Sequence, residues 1–301
     1  MELLDCLKEH YQWENVKFVN ETLIETESGH KRLHYWSDKI LLDWHIKWRD
    51  HCSDTPYVLI DRMIRSGEQK AAIEWKDGWI TVHDDIEQPY PIRGQEANVV
   101  KVITSMIDYG LEEHKDIEPI QLKGPIYQEL YKSMPYFLPE QKAFLSSVLR
   151  EADVRMKKAV SLSNLTEGTL PLLDPITSVT HFKKVFNVIF LYGTVREPER
   201  GYYSFSLFLK EWLDTSGKES VETFLQQLFE DPRMTKDQIL LLLSECLKPF
   251  ELDSLVNLMK QKPTDVEIQR GIDLVKEDWE KSKQLVQIIS VTIDKKKVLA
   301  S

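Results

Sequence analysis

The apolar residues of this chain keep two different periods, and the change falls at Asp84-Asp85-Ile86-Glu87-Gln88-Pro89-Tyr90-Pro91. Before that segment the pattern is mostly strand and turn. Leu3, Leu4, Leu7 and Tyr11 predict a short amphipathic helix. Val16 to Ile24 and Lys31 to Trp36 are rich in β-formers, and Glu27-Ser28-Gly29-His30 between them predicts a hairpin with Gly29 at its tight point. Ser37 can cap a helix carrying Ile40, Leu41, Trp44, Ile46 and Trp48 and ending near Cys52. Tyr57–Ile64, Gln69–Trp75 and Trp79–His83, broken by Ser66-Gly67 and Lys76-Asp77-Gly78, read as an antiparallel meander.

After Pro91 the period becomes helical. Val99, Val102, Ile103, Met106, Ile107 and Leu111 fall on one face. Helix-compatible patterns then run over Gln141–Val160, Phe182–Leu191, Ser204–Leu213, Val221–Phe229, Lys236–Leu247, Leu252–Lys260 and Thr264–Ile289. Lys115 to Pro139 holds Pro119, Gly124, Pro125, Pro135 and Pro139, which predicts a long surface loop. Ser161 to Val179 has room for short strands between turns. The expected division is therefore an α/β lobe over residues 1–94 and a helical lobe over 95–301.

Charge and cysteine usage narrow the function. A net charge of −10 opposes binding to a phosphate backbone, where Lys and Arg must displace condensed counterions, so no nucleic-acid partner is expected. Cys6, Cys52 and Cys246 are far apart and odd in number, which gives neither a disulfide framework nor metal-ligand spacing. The start Met1-Glu2-Leu3-Leu4-Asp5 is unlike a secretory signal, and runs such as Ile239–Leu243 fall far short of the ~20 residues that span a bilayer. A cytoplasmic protein without a membrane partner is the expectation.

The order of hairpin, helix, three-strand meander, acidic-proline connection and helical lobe resembles the bacterial spore-coat kinase-like family related to aminoglycoside phosphotransferases. The match is strongest from Val16 to Gly110, through Ser28-Gly29-His30-Lys31-Arg32-Leu33-His34, Arg65-Ser66-Gly67-Glu68 and Lys76-Asp77-Gly78-Trp79-Ile80. The resemblance implies an α+β, two-lobed protein-kinase-like fold, with a small antiparallel-sheet N-lobe and a mainly helical C-lobe.

Departures from the family's pattern bear on chemistry. In the family a strand ends in a Leu-Lys pair whose Lys meets the nucleotide. Here Leu33 matches the Leu and His34 stands at the Lys, with Arg32 on the same strand face as His34 and Lys31 on the other. The family's catalytic loop reads His-x-Asp followed by Asn, with a metal-binding Asp after a later strand. Against that pattern Leu162-Ser163-Asn164-Leu165-Thr166 places Asn164 at the base, and an amide cannot accept the proton as a carboxylate does. Asp174, in Leu172-Leu173-Asp174, is then the candidate metal carboxylate, although Asp before Pro175 also forms turns. Aligning His181–Asn187 to the loop instead puts Lys183 at the base, so either placement loses it.

Other candidates read as structural. His30 and His34 share a strand face but lack helical metal-ligand geometry; His45 and His51 lack a third ligand; Cys246 sits in the apolar run Leu240–Leu247. Asp84 and Asp85 suit a polar turn or a ligand contact, Trp44 and Trp48 suit packing, and Lys295-Lys296-Lys297 suits a solvated tail. The expected function is a non-catalytic kinase-like scaffold, a pseudokinase without cofactor, with spore-coat proteins as partners in the setting the resemblance implies. The alternatives are an ATP- and magnesium-dependent small-molecule phosphotransferase, in which Asp174 binds the metal, and a helical adaptor with an appended sheet.

Overall fold

The structure is a computed structural model, which describes residues 2–53, 58–121 and 126–299. In chain order its elements are α1 (Leu3–Tyr11), β1 (Val16–Phe18), β2 (Leu23–Thr26), β3 (Gly29–Trp36), α2 (Lys39–His51), β4 (Val58–Ile60), β5 (Ile73–Trp75) and β6 (Gly78–Asp84). There follow α3 (Glu96–Glu112), α4 (Ile126–Ser133), α5 (Pro139–Asn164), β7 (Leu172–Leu173), β8 (Phe182–Val185), β9 (Val188–Leu191) and β10 (Glu199–Arg200). Five helices complete the chain: α6 (Tyr203–Ser216), α7 (Lys218–Glu230), α8 (Lys236–Leu247), α9 (Glu251–Lys260) and α10 (Asp265–Leu299). These form two compact units, residues 1–109 with 174–198, and residues 110–173 with 199–301. Gly94, where the sequence places its lobe boundary, lies within the first unit, which also takes the stretch from Asp174 to Pro198.

In the first unit a five-stranded antiparallel sheet has the order β1-β2-β3-β6-β5. Strand alternation gives β3 two occupied faces. Leu33 joins Leu7, Tyr11, Ile24, Ile73, Ile80 and Val82 in one apolar cluster, while Trp36 packs with Leu42 and Met63. The helix start falls one residue beyond Ser37: Asp38 is the N-cap of α2, and its carboxylate accepts from the amides of Ile40 and Leu41.

A second sheet has the order β4-β9-β8, with β4 parallel to β9. The expected meander is thereby corrected. Val58–Ile60 pairs with Ile189–Leu191 rather than with β5 and β6, a partner 131 residues away that local periodicity cannot announce. Phe182–Leu191 is likewise a hairpin rather than a helix. Its two-residue turn holds Phe186 at φ 53°, a left-handed conformation normally marked by Gly or Asn, so the sequence carries no glycine signal there.

The second unit is helical apart from the β7–β10 pair. Leu145, Val148, Leu149 and Ala152 of α5 bury against Leu252, Leu255 and Val256 of α9 and Ile268, Ile272, Val275 and Trp279 of α10. The expected 115–139 loop contains α4, whose Leu130 enters this core, although residues 122–125, with Gly124 and Pro125, lie outside the described residues. Gly110 permits a close approach: a Cβ there would stand 2.5 Å from the Leu172 carbonyl oxygen. Lys295 and Lys296 belong to α10 rather than to a tail, and the Lys296 ammonium donates to the Phe229 carbonyl. Among the described residues no helix is long and apolar enough to cross a membrane.

Candidate functional site

The β3–β6 register sets Arg32 opposite His83 and His34 opposite Thr81. Asp61 follows β4 directly, held by its amide donating to the Leu191 carbonyl at 2.8 Å. These residues form a buried polar chain. The Trp36 indole donates to Thr81 Oγ1 at 2.9 Å, which leaves the Thr81 hydroxyl proton for His83 Nε2 at 2.9 Å. His83 Nδ1 then donates to Asp61 Oδ1 at 3.1 Å, and the network assigns His83 as the neutral tautomer. Arg32 Nη2 donates to the other oxygen, Asp61 Oδ2, at 2.8 Å.

Burial sets the charge states. It would raise the Asp61 carboxyl by itself, but His83 and the Arg32 and Arg49 guanidiniums hold that group below the usual carboxylate range. Burial holds His83 below its ordinary value, against the pull of Asp61. His34, at the position the resemblance gives to a nucleotide-pairing Lys, is lowered to about 3 by burial and by the neighbouring His83 and Arg32. It is therefore a neutral ring at pH 7.

A second cation lies on α2. The buried residues of that helix are Leu42, Trp44, His45, Trp48 and Arg49, with no carboxylate among them. Protein kinases need an ion pair between the β3 Lys and a Glu of the following helix. Here β3 offers Arg32 and His34, and the helix offers another cation. Arg49 Nη2 donates to the Thr194 carbonyl at 2.6 Å, and its charge acts on both Asp61 and Asp174. Gly193 makes room for it, since a Cβ there would lie 2.5 Å from Arg49 Nη2 and 2.8 Å from the Trp48 ring.

Asp174 stands between β7 and the β8–β9 hairpin and is 4% exposed. One oxygen accepts from the Thr194 amide at 2.7 Å and the other from the Thr194 hydroxyl at 2.5 Å. Burial raises its carboxyl, while Arg49 and Thr194 oppose that rise. The residue directly after β9 is Tyr192. Its ring carries the Arg32 guanidinium 3.7 Å from its centroid, and its hydroxyl donates to the Ile86 carbonyl at 2.9 Å.

The structure thus brings Asp174, Arg32 and His34 into one unit, while Asn164 is the exposed last residue of α5 in the other. The segment 162–166 is the end of a helix and its C-cap, which corrects its placement as a catalytic loop. Lys31 turns to the opposite face and pairs with Asp84 at 2.7 Å. His45 is a neutral core histidine, bonded to the Arg196 carbonyl at 2.8 Å and accepting from the Trp48 indole. Cys246 is a buried thiol pushed up to about 12, chiefly by burial. Sequence reasoning missed Arg49, Asp61, His83 and Tyr192. The signal for Asp61 and His83 was polar residues ending apolar strands, Val58-Leu59-Ile60-Asp61 and Thr81-Val82-His83.

Arg32 is a half-buried guanidinium beside Tyr192 and Asp85, and its Nε and Nη2 donate to the Asp84 carbonyl while Nη2 also donates to Asp61. Asp61 and Asp174 each take protein donors on both oxygens, and the position after β9 carries the Tyr192 phenol.

No family model and no curated protein matches the chain. Solved structures do match its fold. An aminoglycoside phosphotransferase from Alicyclobacillus acidocaldarius superposes with a TM-score of 0.65 at 9% identity, over 98% of this chain and 97% of that one. Spectinomycin phosphotransferase in complex with ADP and spectinomycin gives 0.59 at 13% identity, over 96% and 97%. A microcompartment-associated aminopropanol kinase gives 0.52 at 11% identity, over 96% and 98%. The spectinomycin enzyme holds ADP, and another neighbour holds GDP with kanamycin. The expectation of no cofactor is corrected by these complexes, since in those proteins the fold houses a nucleotide. The chain therefore has the two-lobed kinase-like fold of the aminoglycoside phosphotransferases, with an antiparallel-sheet N-lobe and a helical C-lobe.

Proposed function

We propose that this protein is a kinase-fold, nucleotide-binding scaffold that does not transfer phosphate and that acts through protein partners. Nucleotide binding is supported by the complexes of its structural neighbours and by Arg32, the cation on the β3 face that the resemblance gives to the nucleotide. A spore-coat assembly as the setting is supported by the sequence layout from Val16 to Gly110.

The observation that carries the non-transferring part is internal charge pairing. Arg32 pairs with Asp61, and both Asp61 and Asp174 take protein donors on each oxygen. Phosphoryl transfer asks for carboxylates that orient the acceptor and hold metal against the phosphates. In the family's order, a catalytic-loop residue precedes the hairpin and a metal carboxylate follows it. Asp174 takes the first place and Tyr192 the second. On this proposal Asp174 is an internal acceptor that fixes Thr194, and a metal role for it would require Thr194 to be displaced.

Calorimetric titration with ATP, ADP and GTP, each with and without magnesium, tests nucleotide binding. The expected result is saturable binding and a raised unfolding temperature, about 2.7 kcal/mol of added stability at a ligand concentration 100 times Kd. Absence of heat and of any shift at millimolar nucleotide contradicts it.

A further inference from the structure

At the end of the β3–β6 pair beyond Arg32, His30 is the second residue of β3 and Asp85 follows β6. The register Lys31↔Asp84 makes His30 and Asp85 the next cross-strand pair, and the Asp85 amide meets the His30 carbonyl at 3.3 Å. Directly opposed residues of antiparallel strands present their side chains to the same face, with Cβ atoms about 5 Å apart. Glu87, two residues on, returns to the side of Asp85 where the chain stays extended. The consequence is visible in the side chains: one ligand atom each from His30, Asp85 and Glu87 lie within 4.8 Å of one another.

We propose that His30, Asp85 and Glu87 bind a divalent first-row transition metal ion, for which Zn2+ is the probe. One imidazole nitrogen and two carboxylate oxygens suit a borderline ion such as Zn2+ better than Mg2+, which prefers an all-oxygen octahedron and keeps its waters. Zn–N and Zn–O bonds are both about 2.0–2.2 Å. The donors must close by a small rotation, which the exposed His30 and Glu87 side chains can make.

Two features separate this cluster from solvated acids. Among the described residues the His30 ring and the Glu87 carboxylate make no hydrogen bond, so their lone pairs are available. The local charge also favours a cation: Lys31 is matched by Asp84 and Arg32 by Asp61, which leaves Asp85 and Glu87 as net negative charge. Arg32 Nε at 3.6 Å from Asp85 still leaves that carboxylate a second oxygen. Three protein ligands leave a coordination position for water, and the bound ion would tie the start of β3 to the segment after β6.

The test is titration of the full chain with Zn2+ against a chromophoric chelator, beside His30→Ala, Glu87→Gln and the control His114→Ala. Loss of a ligand is expected to weaken Zn2+ binding by at least about tenfold in His30→Ala and Glu87→Gln, with one ion per chain in the parent and no change in His114→Ala. Both ligand positions are exposed, so the variants should keep the parent's metal-free melting temperature. A parent that binds no Zn2+ below millimolar concentration overturns the proposal. So does equal Zn2+ affinity across parent and ligand variants, which would place the ion elsewhere.

Discussion

His34 is where a single residue most directly reports the site's electrostatics. Its folded value of about 3 against an ordinary 6.5 means that between these pH values the unfolded chain carries a proton there that the folded chain does not. Stability then rises with pH across that window, and acidification from pH 7 lowers it by up to about 1.4 kcal/mol per pH unit for each such histidine. His83 adds in the same direction, and Asp174, whose carboxyl is raised, acts in the opposite direction above the ordinary carboxylate value. In urea unfolding at pH 7, 6 and 5, His34→Gln should show a shallower loss than the parent by about that slope. Equal slopes would mean that His34 is protonated in the folded state. Strand alternation alone placed Arg32 and His34 on one face. It could not supply their partners, because Asp61, Arg49 and Tyr192 arrive from other elements.

Among the elements, those read correctly were defined by their own sequence, and the missed ones depended on distant pairing or lacked a local turn signal. β3 has alternation and a glycine turn, and α3 has an apolar face; both stand where predicted. β4 needs β9 as its partner, and the β8–β9 hairpin turns on Phe186 without a glycine. The loop after β9 is fixed from the α2 side, by Arg49 and Trp48 closing over Gly193. Gly193→Ala should therefore cost about 1–3 kcal/mol through overpacking, read as a lower urea midpoint at unchanged slope. A loss below about 0.5 kcal/mol, within the usual range for surface substitutions, would show that Arg49 and Trp48 have room to move.

For the molecule as a whole, the change of period made the strand-rich and helical division legible, and the fold class came from the resemblance that this layout carries. The site was less legible, because its residues arrive from separate elements rather than forming a motif. The central claim of the proposal is a kinase fold in which protein donors take up both carboxylates, Arg32 and His83 on Asp61 and Thr194 on Asp174, instead of a transferring phosphate. Release of phosphate from ATP and its transfer to aminoglycoside or amino-alcohol acceptors, measured with magnesium for the parent and a folded Asp174→Ala variant, tests it most directly. The account predicts rates at the uncatalysed background for both proteins, with Asp174→Ala altering stability alone. Magnesium-dependent turnover by the parent that disappears in Asp174→Ala would contradict it.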